Sequence, residues 1–227
     1  MSTETVIILC GGKGLRLRPL TNDLPKPLVE IDNKPILEHI INHFRRYNYT
    51  KFVIATGYMS DKIEQFMLKK FDNLDYEIIN SGDVEIIKRL IDCTENITNN
   101  SIVCYGDTLT DININNLKDF HERSTNSITV SGYQIKIPFG VMRYDMNNYI
   151  TSFEEKPILE SVMNIGFFYI SKTLYSIFKE YNSFEDMLIH LTKTKKLKCY
   201  LHHGIHITVN TVSELQNANE NIKKLYL

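Results

Sequence analysis

The chain has 227 residues, 43% of them hydrophobic and 23% charged, a balance that suits one large folded domain or two small ones. Lys and Arg total 26 against 27 for Asp and Glu, and the formal net charge of −1 argues against a general nucleic-acid or membrane-surface binder. No apolar run approaches the ~20 residues of a membrane span, and Met1 to Thr5 lacks the basic flank of a signal peptide, so a cytoplasmic protein is expected.

Val6 to Leu9 is a continuous apolar run ending at glycines, as a strand buried on both faces would. Ile36, Leu37, Ile40, Ile41 and Phe44 then recur at helical spacing behind Pro35, which suits a first helical turn. Lys51 to Ala55 reads as a second strand. Ser60 is expected to cap a helix with Ile63, Phe66 and Met67 on one face. Tyr76 to Asn80 is a third strand, Val84 to Ile91 a helix and Ile102 to Tyr105 a fourth strand; Leu117 and Phe120 mark another helix. This alternation predicts a parallel sheet with right-handed crossovers. After about Ser127 the rhythm changes. Ser127 to Gln134, Phe139 to Tyr144, Tyr149 to Glu155 and Asn164 to Ile170 read as strands, with Asn147-Asn148 as a hairpin turn. Leu174 to Tyr181, Phe184 to Lys193 and Val212 to Leu225 read as helical, and Lys198 to His202 as extended. The expected architecture is α/β: a Rossmann-like, mostly parallel mixed sheet flanked by helices. Residues 1–227 form one domain, with a nucleotide-binding half at about 1–126 and a second half at about 127–227. Cys10, Cys93, Cys104 and Cys199 form no C-x-x-C and are expected as buried reduced thiols.

Ligands of open parallel sheets sit beyond the strand C-termini. The first strand ends there in a local glycine excess, three glycines between positions 11 and 14. Glycines let backbone N–H groups face an anion without an intervening Cβ. Lys13, Arg16, Arg18 and Lys26 add cations close by, which suits a polyphosphate. The Walker pattern is absent. The dinucleotide pattern G-x-G-x-x-G is only half present, since Leu17 stands where the third glycine belongs and no acid ends the second strand. A nicotinamide-dependent oxidoreductase is thereby disfavoured.

The full run is Gly11-Gly12-Lys13-Gly14-Leu15-Arg16-Leu17-Arg18-Pro19-Leu20-Thr21, followed by Pro25-Lys26-Pro27. Tyr105-Gly106-Asp107, Phe153-Glu154-Glu155-Lys156-Pro157 and Asn164-Ile165-Gly166 follow in order. With these motifs the chain resembles the sugar-1-phosphate nucleotidyltransferases over nearly its whole length. The resemblance implies a nucleotide-diphospho-sugar transferase fold. It also implies transfer of a nucleotidyl group from a nucleoside triphosphate to a sugar 1-phosphate, with release of pyrophosphate. Each role then falls to a matching residue. Leu9, Gly11, Gly12 and Gly14 are expected at the nucleotide. Arg16 is expected on the β- and γ-phosphates, Lys26 near the α-phosphate, and Asp107 on magnesium (Mg2+). Lys156 is expected on the sugar phosphate, with Glu155, Asn164, Gly166 and Gly140 at the sugar. Ser81 and Gly82 are the expected base contacts, because the family's glycine-rich base segment is shortened here to Asn80-Ser81-Gly82-Asp83.

Where many members carry a second metal aspartate, this chain has Asn210, whose amide oxygen can ligate magnesium without adding charge; a helix cap is its other reading. Val209 to Asn219 is similar to N-acetylglucosamine-1-phosphate uridylyltransferases there. Tyr105 to Ile114 with Phe139-Gly140 is similar to glucose-1-phosphate cytidylyltransferases. Gly106-Asp107-Thr108 and Ser183 to Asp186 are similar to heptose- and mannose-1-phosphate guanylyltransferases. The base favoured is a pyrimidine, UTP or CTP, with GTP and a non-catalytic nucleotide-sugar sensor as alternatives. Partners implied are the two substrates, with no nucleic acid and no membrane; a homo-oligomer is compatible. Asp111 reads as a helix cap or a metal or nucleotide contact. His202, His203 and His206 read as polar histidines on a strand, since nothing nearby completes a zinc set.

Overall fold

The computed structural model describes residues 4–123 and 126–226. The reading of Met1 to Thr5 as no signal peptide falls in part on Met1 to Thr3, which lie outside the described residues.

In chain order, β1 (Thr5–Leu9) is followed by the two-residue strands β2 (Glu30–Ile31) and β3 (Lys34–Pro35) and by helix α1 (Ile36–Arg45). Next come β4 (Lys51–Thr56), α2 (Ser60–Lys70), β5 (Asp75–Asn80), α3 (Ile86–Thr94) and β6 (Ser101–Tyr105). The short β7 (Thr108–Thr110) and α4 (Ile114–Glu122) lead to β8 (Ile128–Lys136), β9 (Val141–Tyr144), β10 (Ile150–Glu154) and β11 (Ile158–Ile170). A 3-10 stretch (Lys172–Glu180), α5 (Phe184–Lys193), β12 (Leu197–His202), β13 (His206–Thr208) and α6 (Val212–Asn221) complete the order, with a final 3-10 turn at Ile222–Tyr226. Among the described residues no helix is long and apolar enough to cross a membrane.

One seven-stranded sheet runs β12-β8-β11-β6-β1-β4-β5. β6, β1, β4 and β5 are parallel, as the strand–helix alternation predicts, while β11 is antiparallel to both β6 and β8. The chain steps outward from β1 through β4 to β5, then returns to place β6 on the other side of β1. Such a reversal opens a crevice beyond the C-terminal ends of β1 and β6.

Strand periodicity divides the core. Val6 and Ile8 of β1, Ile102 and Cys104 of β6, and Phe167 and Tyr169 of β11 face α1, α2, α4 and α6. Ile7, Val103, Phe168 and Ile170 face α3, the 3-10 stretch and α5. Phe44 of α1 is fully buried, stacks on Phe167, and meets Tyr49 and Phe52 edge-on. Its burial contributes about 2–3 kcal/mol.

Several expectations need correction. Ser60 does not cap α2; Met59 holds the cap position at φ 51°, and the Ser60 hydroxyl bonds that of Thr56. α3 starts at Ile86 rather than Val84, because Gly82 (φ 73°) and the extended Glu85 keep that segment a loop. The last α-helix ends at Asn221 and tightens to 3-10 geometry. Cys10, Cys93 and Cys104 are buried, but Cys199 is exposed, since the outer face of edge strand β12 is only partly covered. β7 and β13, too short for a periodic signal, pair antiparallel beside the sheet. The β9–β10 hairpin forms a separate two-stranded arm, with Met142, Tyr144, Ile150 and Phe153 exposed, while the exposed N-terminal half of β11 stays paired with β8. The hairpin turn falls where Asn147-Asn148 predicts it, with Asn148 at φ 66°.

Candidate active site

A cleft of about 580 Å³ opens beyond the ends of β1 and β6. Its floor follows from backbone needs. The amide of Cys10 donates to Ala55 O (2.7 Å), which carries β1 straight into Gly11. The Gly106 amide donates to Leu9 O (3.0 Å), and a Cβ at 106 would stand 2.7 Å from that oxygen, so only glycine allows this approach. Gly14 adopts φ +62° and opens a 3-10 turn, Leu15–Leu17; its carbonyl accepts from the Leu17 amide and the Thr21 hydroxyl, both at 2.9 Å. That turn presents Arg16 to the cleft.

A second 3-10 turn, Lys26–Leu28, follows Pro25 and contains Pro27, which preset the backbone. It buries the Lys26 stem, leaving 11% of the side chain exposed, and delivers the ammonium into the cleft. Lys26 Nζ lies 2.5 Å from Asp107 Oδ2 and 3.0 Å from Asn210 Oδ1. Arg16 Nη2 also donates to Asn210 Oδ1, at 3.0 Å. Asn210 is free for this because Thr211 caps α6 in its place, accepting from the Glu214 amide (3.2 Å), while the Glu214 carboxylate accepts the Asn210 amide (2.7 Å). The helix-cap reading of Asn210 is thus set aside. Burial, and then Asp107, push the Cys10 thiol far above the usual range, so it is no nucleophile at neutral pH.

Glycine-loop backbone, two cations and two side-chain oxygens thus share one cleft at a topological switch point. Residues 5–209 match the family model for nucleotidyl transferases. The chain belongs to the nucleotidyl transferase family. It is 30% identical, over 94% of each chain, to a Bacillus subtilis protein named as a probable glucose-1-phosphate cytidylyltransferase. It is 28% identical to the D-glycero-alpha-D-manno-heptose 1-phosphate guanylyltransferase of Campylobacter jejuni, over 85% of this chain and 87% of that one. Among solved structures, HddC from Yersinia pseudotuberculosis superposes with a TM-score of 0.74 at 24% identity, covering 97% of this chain and 100% of its own. A UDP-glucose pyrophosphorylase complexed with UDP-glucose gives 0.77 at 17% identity, covering 98% and 99%. At those identities the two structures establish the fold, that of the nucleotide-diphospho-sugar transferases.

In this nucleotidyl transferase the sequence-predicted residues fall into four groups. Leu9, Gly11, Gly12, Gly14, Arg16, Lys26, Asp107 and Asn210 all line the cleft. Ser81 and Gly82 sit just beside it, in the loop whose next residues, Asp83, Val84 and Ile86, form the wall. Asn164 and Gly166 meet the cleft through Tyr105. The Gly166 amide donates to Asn164 Oδ1 (2.8 Å), and at φ +75° a Cβ on Gly166 would collide with the Tyr105 ring. Gly140, Glu155 and Lys156 stand together on the arm, outside the cleft lining. A Cβ on Gly140 would meet Phe153 and the Glu155 carboxylate, and the Lys156 amide donates to Phe139 O (3.3 Å).

Other residues take roles the sequence does not announce. Lys13, one of the cations that follow the first strand, pairs with Asp83 at 2.5 Å across the cleft mouth. Asp111 neither caps a helix nor reaches the cleft. Asn113 caps α4, while Asp111 accepts from the Ile205 amide (2.6 Å) and pairs with His202 (3.0 Å). Among the described residues no group of three or more His, Cys, Asp or Glu side chains converges as a metal cage. Arg89, on α3, lines the cleft although it is 4% exposed. Its spacing from Ile86 and Cys93 places it on the buried helix face, the one signal that distinguishes it from a surface arginine.

Proposed function

We propose that the protein joins a nucleoside triphosphate, CTP or UTP, to a sugar 1-phosphate and releases pyrophosphate. The observation that carries this is the convergence of Arg16, Lys26, Asp107 and Asn210 beside the glycine loop. The name of the Bacillus relative supports a cytidine nucleotide, and that of the Campylobacter relative keeps GTP as the second reading. Residues 1–227 act as one catalytic domain, with the arm supplying the sugar-phosphate side.

The sugar-phosphate oxygen attacks the α-phosphorus as the bond to the departing pyrophosphate breaks, so no protein nucleophile is needed. Catalysis is then positioning and charge stabilisation. Backbone amides of Gly11, Gly12 and Gly14 cradle the triphosphate. Lys26 draws charge from the α-phosphate oxygens, and Arg16 holds the β- and γ-phosphates on which charge accumulates. Lys156, Glu155, Gly140, Asn164 and Gly166 seat the sugar phosphate, which requires the arm to approach the cleft. Asp107 and Asn210 offer two hard oxygens on one lysine ammonium, and this fits Mg2+, which takes one or two protein oxygens with phosphate and water as its other ligands. When bound, the ion neutralises phosphate charge.

The test is a matrix of nucleoside triphosphates against sugar 1-phosphates with Mg2+, read by pyrophosphate release, with phosphocholine as a non-sugar acceptor. Turnover with one pair supports the reading. Nucleotide binding with no turnover across the matrix would replace it with a nucleotide-sugar sensor.

A further inference from the structure

The loop between β5 and α3 has little to hold it. Gly82 donates to Asn80 Oδ1 (3.0 Å), the Ser81 amide reaches Thr56 O (3.3 Å), and Lys13 touches Asp83 from the solvent side. Beneath it lies the Arg89 guanidinium. Nη2 donates to Gly82 O (2.9 Å) and Val84 O (3.3 Å), and Nη1 donates to Thr56 O at the end of β4. The same guanidinium underlies the phosphate loop, since a Cβ on Gly11 would fall onto it. Three carbonyl oxygens from two segments thus share one planar donor group, and no carboxylate among the described residues lies within ion-pair distance of it. Its charged, planar donor fork is directed at backbone oxygens of the cleft wall.

We propose that Arg89 is the positioning residue for nucleobase selection. Its guanidinium fixes the Gly82–Val84 segment against β4, and the fixed segment, with Val84 and Ile86, reads the base of the triphosphate. The inference rests on the nucleotidyltransferase reading of the cleft and adds how so short a base loop can discriminate. Lysine at 89 keeps the charge but not the fork, and it cannot serve three carbonyls in one plane.

The experiment compares wild type, Arg89→Lys and Gly57→Ala. A Cβ on Gly57 would press hardest on Gly82 O and more lightly on Gly11 O (3.0 Å) and Arg89 Nη1 (3.1 Å), so it displaces the same segment while keeping the guanidinium in the chain. Selectivity is the ratio of kcat/KM between the best and next-best triphosphates, and tripolyphosphate inhibition reports the phosphate site without a base. Both variants are expected to lose about tenfold in selectivity, with tripolyphosphate inhibition and the sugar 1-phosphate KM changed less than about threefold. If Arg89→Lys fails to fold in a thermal melt, Gly57→Ala carries the test. Unchanged selectivity, a parallel loss of tripolyphosphate inhibition, or a wild type that ignores the base would each overturn the inference. A wild type that releases no pyrophosphate overturns the enzymatic reading instead, and selectivity is then scored from the Kd values of the four triphosphates by calorimetry.

Discussion

Replacing Asp107 by asparagine removes one charge from the centre of the cleft and keeps the shape of the side chain. Asp107 Oδ2 sits 2.5 Å from Lys26 Nζ, so a triphosphate arriving without metal must compete with it for the lysine. Two opposite unit charges 4 Å apart attract by about 4 kcal/mol at an effective dielectric constant of about 20. Asp107 is 31% exposed, and water screening reduces the net value to roughly 1–2 kcal/mol. At 1.4 kcal/mol per tenfold, Asp107→Asn should bind metal-free triphosphate about 5–30-fold more tightly than wild type. With Mg2+ the proposed metal role of Asp107 predicts the reverse sign: the variant would lack the charged oxygen offered to the ion, affinity should fall and kcat should drop by about 10²–10³. Calorimetry in chelator and in Mg2+ reads both arms. Metal-free binding that stays equal or weakens would refute the argument, since Lys26 would then not be restrained by Asp107.

Asn210→Asp should do the opposite in chelator, weakening metal-free triphosphate binding severalfold, because a charge would then face both Arg16 and Lys26; the same calorimetry checks it. Gly14→Ala should cost about 1–2 kcal/mol in urea unfolding, since φ is +62° and the new Cβ would stand 3.1 Å from both Lys26 Cβ and Thr21 Cγ2. Lys156→Ala should raise the sugar 1-phosphate KM about tenfold or more while leaving the triphosphate KM near wild type; a rise in both would move Lys156 to the nucleotide. His121 is buried with its ring nitrogens on the Thr129 and Ser171 hydroxyls, and burial, then Lys198, pull its pKa down to about 4. The unfolded chain takes up that proton near pH 6.5, so the stabilisation is complete above 6.5 and is lost as pH falls toward 4. His121 alone should cost about 2 kcal/mol between pH 7 and pH 5. Urea unfolding at both pH values tests this, and a His121→Gln variant should show a shallower pH slope.

Much of the fold is local in origin. Val6 to Leu9, Ile36 to Phe44 and Phe184 to Lys193 carry their periodicity within ten residues, and the structure has strand or helix at each. Where side chains overrode local signals, the departures have visible partners: Thr56 draws the Ser60 hydroxyl, and Thr211 takes the cap that Asn210 leaves. Arg89 and Asp111 were the least legible, because a single arginine or aspartate has no periodicity that names its partner.

By itself, the sequence determined the strand–helix order, the glycine loop with its following cations, and the family, because each is written in residues close along the chain. Only the tertiary structure decided that Lys26 meets Asp107, 81 residues away, and Asn210, 184 residues away. It also decided that Arg89 underlies both the glycine loop and the loop between β5 and α3, while Lys156 stands apart on the arm. The near-neutral total of −1 likewise conceals a cleft where cations and carboxylates are held within bonding distance. Such meetings depend on the return of the chain from β5 to β6 beside β1, and that is set by how whole elements pack their apolar faces, not by any local run of residues.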